Sequence, residues 1–179
     1  RGSLFSHRMM DRTADIERHV EEVIAAVEEL SRYRIGALIV WRRETGIDDY
    51  SEIGIDIDAA ISSELLISIF TPNTPLHDGA VIISRGRINR AGAFLPLSDN
   101  PNLEKSLGTR HRAAVGISEV SDALAIVVSE ETGRVGLAKD GVLTRSIDSG
   151  ALKGILLREL RDQYPRKQTI WRKREVRHE

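Results

Sequence analysis

Pro75-Leu76-His77-Asp78-Gly79-Ala80-Val81-Ile82-Ile83-Ser84 reads as a loop that delivers a carboxylate and a glycine to the start of a strand. Pro72 and Pro75 end a preceding helix and force extended backbone through His77 and Asp78. Ala80–Ser84 and Ile88–Leu95 then form two strands joined by a tight turn around Arg85-Gly86-Arg87. Upstream, Ile35 to Trp41 is a continuous apolar run with little polar alternation, the pattern of a strand buried on both faces. Downstream, Ala123–Ser129 is a further β-branched strand, and Val135–Ala138 and Val142–Thr144 make a hairpin across Lys139-Asp140-Gly141.

Helical spacing fills the intervals. Ile16, Val20, Val23, Ile24, Val27 and Leu30 form one stripe between Thr13, a candidate N-cap, and Tyr33. Ile53, Ile55 and Ile57 alternate with polar residues as a half-exposed strand would. Ser62 or Ser63 can cap a short helix through Leu65, Leu66, Ile69 and Phe70, and Thr109 can cap another. Asp148 can open a last helix to Tyr164, with Leu152, Ile155, Leu156 and Leu160 on one face. The pattern predicts an α/β fold: a single domain with a central mixed twisted β-sheet packed by helices. We expect a linker over 1–12, the folded domain over 13–164 and a basic tail over 165–179.

The chain has 179 residues and a formal net charge of −1, which argues against general nucleic-acid binding by the whole surface. There is no cysteine, so disulfides, thiolate metal sites and a cysteine nucleophile are excluded. No apolar stretch reaches the roughly 20 residues that span a bilayer, and no signal-peptide pattern opens the chain. Arg1-Gly2-Ser3-Leu4-Phe5 reads as a linker ahead of the folded domain, although Arg1-Gly2-Ser3 could equally be an expression scar.

Gly108-Thr109-Arg110-His111-Arg112 places a hydroxyl, two guanidiniums and an imidazole at a helix start. Unpaired backbone amides and the helix dipole favour an anion there, and a phosphate chain suits both. With the carboxylate of Asp78, the set suggests phosphoryl or nucleotidyl chemistry.

Several ordered segments add to this: Arg34-Ile35-Gly36-Ala37-Leu38, Ser62-Ser63-Glu64-Leu65-Leu66, Asn73 to Ala80, Leu95-Pro96-Leu97-Ser98, Leu107 to Gly116 and Val128-Ser129-Glu130-Glu131-Thr132-Gly133. At these spacings, from about Glu28 to Arg145, the chain resembles the diadenylate cyclase domain family, and within it the membrane-anchored branch. The resemblance implies condensation of two ATP molecules into cyclic di-AMP with a divalent metal (Mn, Mg or Co), by a face-to-face homodimer. It also implies a place at the cytoplasmic face of the bacterial cell membrane for the full-length protein, this fragment being soluble. A membrane-associated regulator and phosphoglucosamine mutase are the partners it implies, and no nucleic acid is expected.

The same resemblance gives Asp78 the catalytic role of metal binding and activation of the ribose 3′-hydroxyl, where residue type alone would allow a turn aspartate. Arg110 is the second catalytic candidate and, with Gly108, Thr109, His111 and Arg112, an ATP contact; His111 or Arg112 could instead brace the loop. Gly79 and Ala80 would lie against the nucleotide, the glycine permitting close backbone approach. Phe94 and Leu95 offer a stacking face and an apolar wall for adenine, with plain core as the bland alternative for Phe94. Ser129, Glu130 and Glu131 sit at a strand end; Ser129 suits phosphate, and Glu131 ranks above Glu130 as a metal ligand by resemblance only. His77 is either a further metal ligand, with Asp78 and Glu131, or a loop histidine. The basic tail, with Ile170-Trp171, suits either anionic lipid or a solvated end. Two rival functions remain: an adenine-nucleotide sensor that has lost its chemistry, and a nucleic-acid-binding module, for which no helix-hairpin-helix pattern is present.

Overall fold

A computed structural model describes residues 3–50 and 54–161, with side chains from residue 14 onward. Seven strands make one sheet: β1 (Ala37–Trp41), β2 (Ile55–Ala60), β3 (Ala80–Ser84), β4 (Arg87–Ala93), β5 (Leu124–Val128), β6 (Val135–Lys139) and β7 (Val142–Thr144). Their order is β2-β4-β3-β1-β5-β6-β7. β1 and β3 run parallel, and the other neighbours are antiparallel, so the sheet is mixed as expected.

Four helices cover it: α1 (Ser3–Arg32), α2 (Ser63–Phe70), α3 (Thr109–Val120) and α4 (Ser149–Arg161). Residues of α1, α2 and α4 share one apolar cluster with Ile39, Trp41, Val81, Ile83, Ile126 and Val128. Those of α3 share another with Leu38, Val40, Ile82, Ala125 and Val127. Alternate residues of each central strand therefore enter opposite layers, and β1, β3 and β5 are buried throughout. This explains why their sequences lack polar alternation. β2 lies at the sheet edge, and Ile55 is exposed.

The helical stripe of α1 is buried from Ile16 to Leu30. Its start differs from expectation: α1 begins at Ser3, so Thr13 lies inside the helix rather than at its N-cap. Ser62 caps α2, its hydroxyl accepting from the Leu65 amide at 3.2 Å. Asp148 caps α4 by accepting from Ala151 N–H at 2.9 Å. α3 corrects another cap. Gly108 is its N-cap, without a side-chain hydrogen bond, and Thr109 is its first helical residue. β4 ends at Ala93, which leaves Phe94 and Leu95 beyond the strand. Ile53, residues 162–164 of the last predicted helix and the 165–179 tail with Ile170-Trp171 lie outside the described residues.

The segment after β4 is held on α3. The Ser98 amide donates to the Arg112 carbonyl at 2.9 Å, and the Ser98 hydroxyl donates to Glu119 at 2.6 Å. Close approach requires the absence of a side chain at Gly116, where a Cβ would overlap the Pro96 carbonyl oxygen. Alanine in place of a helix-interior glycine ordinarily adds about 1 kcal/mol of stability. At Gly116 the backbone overlap reverses the sign. Gly116→Ala should therefore lower the urea midpoint, by about 1–3 kcal/mol of unfolding free energy, the usual cost of overpacking.

Candidate active site

The strand register brings the functional segments to one end of the sheet. Ala37 pairs with Val128, and Ala80 pairs with Ala93. Gly36, Asp78-Gly79, Phe94-Leu95 and Ser129-Glu130-Glu131 consequently emerge at the same edge of the core. α3 runs with its N-terminus toward this end, and no side chain caps it. Its first-turn amides remain for a ligand.

A cleft of about 250 Å³ opens there. It is lined by Gly108, Thr109, Arg110 and His111 from the α3 start and by Ser129, Glu130 and Glu131 from the end of β5. These seven residues, singled out from sequence, are brought together. Ser106, Arg134 and Arg145 also line the cleft and were missed. Nothing local marks Arg134 or Arg145 as site residues; they arrive through the β5–β6 turn and the end of β7.

Arg110 Nη1 donates to Glu130 Oε2 at 2.9 Å. Arg145 is paired with Glu104, tying the loop before α3 to the chain just past β7. Hydrogen bonding from Ser106, and then from Arg145, holds the Glu104 carboxyl below its ordinary range. Arg134 has no side-chain hydrogen bond or ion pair among the described residues. A cleft with three guanidiniums, two of them matched by single carboxylates, suits a polyanion.

The turn after β5 is rigidly tied. Gly133 N–H donates to the Ser129 carbonyl at 2.8 Å, and the Ser31 hydroxyl donates to the Gly133 carbonyl at 2.5 Å. Ser129 Oγ accepts from the Thr132 amide at 3.2 Å, which leaves its hydroxyl hydrogen to donate to a ligand.

The remaining predicted residues do not line this cleft. Asp78 is exposed on its loop at the same sheet end. His77 Nδ1 lies 2.6 Å from the Thr74 carbonyl oxygen. A carbonyl can only accept, so Nδ1 is the donor in this contact and Nε2 is the nitrogen left to face a ligand. Among the described residues, however, no group of three or more His, Asp or Glu is placed to hold a metal. His77, Asp78 and Glu131 therefore form no single three-ligand cage within this chain.

Gly79 has a φ of 95°, and a Cβ there would stand 2.8 Å from the Gly92 carbonyl carbon. Its glycine thus has a packing cause in β4, beyond closeness to a ligand. The Ala80 side chain is fully buried in the cluster beneath α3, so only its backbone can serve a nucleotide. Leu95 is buried in that same cluster, whereas Phe94 is 53% exposed and offers a free ring face. The Arg112 main-chain carbonyl accepts from the Ser98 amide, a contact that does not involve its guanidinium.

The domain matches the family described as "DisA bacterial checkpoint controller nucleotide-binding" over residues 24–143. The chain belongs to this family. It is 54% identical over 162 residues to a diadenylate cyclase of Listeria monocytogenes, covering 88% of this chain and 59% of the relative. It is 50% identical over 161 residues to the Bacillus subtilis cyclic di-AMP synthase CdaA, covering 90% of this chain and 59% of that one. The chain thus spans about three-fifths of the length of these relatives. Its fold is that of the crystal structure of a double mutant of DacA from Staphylococcus aureus, at a TM-score of 0.79 and 53% identity. That match covers 82% of this chain and 97% of the other.

His111 carries a testable electrostatic signature. Burial, then Arg145 and Arg110, lower its pKa below the ordinary 6.5. The folded state therefore binds this proton less readily than the unfolded state. His111's contribution to stability is complete above pH 6.5 and is lost as pH falls from there toward its folded pKa. By NMR, the His111 imidazole should titrate below 6.5, and Arg145→Gln should raise its midpoint. An unmoved midpoint would remove Arg145 from the environment of His111.

Proposed function

We propose that this domain condenses two ATP molecules into cyclic di-AMP and two pyrophosphates. The observation that carries the reading is the arginine-lined cleft at the uncapped start of α3, set at the same sheet end as Asp78 and Phe94. The triphosphate lies along Thr109, Arg110 and Ser129, with Arg134 and Arg145 as further cations. Adenine stacks on Phe94, and Leu95 forms the wall behind it. Asp78 takes the proton of the ribose 3′-hydroxyl. The resulting 3′-oxygen forms a bond to the α-phosphorus of the second ATP as the bond to pyrophosphate breaks. A second, symmetric attack closes the ring.

In this reading each protomer holds one ATP in its arginine-lined cleft, and the second ATP comes from another protomer. Two copies meet face to face and bring the two nucleotides together, in a closed two-fold arrangement. His77, through Nε2, and exposed Asp78 would hold a divalent cation together with phosphate oxygens of the nucleotide. Such an ion would neutralise phosphate charge and acidify the attacking hydroxyl.

Among the described residues no helix is long and apolar enough to cross a membrane. The chain is similar to a Bacillus cereus protein described as membrane spanning, at 43% identity and a TM-score of 0.70, covering 72% of this chain and 63% of that one. We place the whole protein at the cytoplasmic face of the membrane, this domain being its catalytic unit. The membrane-associated regulator and the mutase partner belong to the same reading. A nucleotide sensor is the second reading, favoured by the position of Asp78 outside the cleft.

Incubation with ATP and Mn²⁺, Mg²⁺ or Co²⁺, followed by mass analysis, should yield cyclic di-AMP; ATP binding with no product under any metal would leave the sensor. Asp78→Asn should cut product formation by about 100-fold or more, the usual scale of a lost general base, while ATP still binds. Near-normal turnover by the folded variant would take Asp78 out of the mechanism.

Specific activity should also rise with protein concentration wherever dimerisation is incomplete. Constant specific activity, where sedimentation finds only monomer, would sink the face-to-face mechanism.

A further inference from the structure

Arg110 and Glu130 meet in a space that exists because residue 36 is glycine. Gly36 lies immediately before β1, between the start of α3 and the end of β5. A Cβ there would stand 2.5 Å from Arg110 Nη1, 3.0 Å from Arg110 Cζ and 3.1 Å from Glu130 Oε2. The Arg110 side chain is mostly enclosed, and its Nε is buried without a partner. The guanidinium thus lies in a slot floored by the Gly36 backbone, with Nη1 engaged by Glu130 and its other donors uncommitted.

Glu130 itself is 68% exposed, so its ion pair adds little to folding stability. Placed beside a polyanion, a carboxylate also weakens binding by repulsion. A negative group in that place is an expense unless it orients the cation next to it. We propose that Glu130 is a positioning residue for Arg110, and that Gly36 is the clearance that lets the pair hold the guanidinium toward the phosphates. This rests on the nucleotide-binding reading above. Glu130 then acts through Arg110, not through a contact of its own with nucleotide or metal.

The test is calorimetric binding of 3′-deoxy-ATP, which lacks the attacking hydroxyl, to single and double variants. Glu130→Ala should weaken binding about tenfold, the scale of one lost charge-assisted hydrogen bond, and Glu130→Gln, which keeps an acceptor oxygen, should lose less. In an Arg110→Ala background, Glu130→Ala should cost nothing or improve binding. Gly36→Ala should weaken binding in the natural background and add no loss once the Arg110 side chain is gone. Thermal midpoints check that each variant is folded; if Gly36→Ala does not fold, the Glu130–Arg110 cycle stands by itself. Unchanged or tighter binding by Glu130→Ala alone, or additive losses in the double variant, would overturn the proposal. A natural chain that binds no 3′-deoxy-ATP would overturn the nucleotide reading and this proposal together. One that binds it but makes no cyclic di-AMP from ATP would overturn only the reaction.

Discussion

Strands β1, β3 and β5 are covered on both faces, by α1, α2 and α4 on one side and α3 on the other, and this sealing constrains everything else. A fully buried aliphatic side chain contributes about 1.5–3 kcal/mol, whereas an exposed ion pair contributes about 0–1 kcal/mol. Pairs such as Arg18–Asp15 and Arg32–Glu29 therefore follow the fold rather than set it. With both sheet faces closed, polar chemistry can reach solvent only at the ends of the strands. The parallel pairing of β1 with β3 puts two strand starts at one end, and the antiparallel neighbours β4 and β5 add two strand finishes there. The candidate site occupies that end.

Electrostatics at this end is arranged in layers. The uncapped amides of α3 supply fixed partial positive charge, and Arg110, Arg134 and Arg145 add full charges around the cleft. Glu104 and Glu130 each engage one guanidinium, which restrains mutual repulsion among the cations. At the far side of the sheet the charges serve packing. Glu159, only 13% exposed, accepts from Lys139 and faces Arg43, and the Lys139 hydrogen bond first of all keeps its carboxyl ionised. The first arrangement turns its cations toward an open cleft, whereas the second pairs them with one largely buried carboxylate.

Backbone clearance is as important as charge. Gly79, Gly116 and Gly133 each lie where a Cβ would run into a neighbouring backbone, and Gly36 where it would meet the ends of the Arg110 and Glu130 side chains. Gly116 lets the chain after β4 lie on α3, which fixes the stretch carrying Phe94. Gly133 lets the turn after β5 press on α1, which fixes Ser129 and Glu130. Close approach of backbone to backbone braces the site in a chain that has no cysteine for a disulfide.

The sequence by itself determined the elements whose cause is local. Continuous apolar runs marked the buried strands, the stripe from Ile16 to Leu30 marked α1, and Asp140-Gly141 marked a hairpin turn. It also determined the chemical types at the site, since Asp78 and the Thr109–Arg112 run stand in contiguous motifs. It misjudged the start of α1, because a capping residue such as Thr13 also sits within a helix when the chain before it continues helical. Tertiary structure alone decided which residues share the cleft. Arg134 and Arg145 join it through strand order, while Asp78 and Phe94 share its sheet end without lining it. Ala80 illustrates the division: its place two residues after Asp78 is a fact of sequence, but the helices covering both faces of β3 bury its side chain. Local pattern follows from a few consecutive residues, whereas a binding cleft is made by segments that only the register of a sheet can bring together.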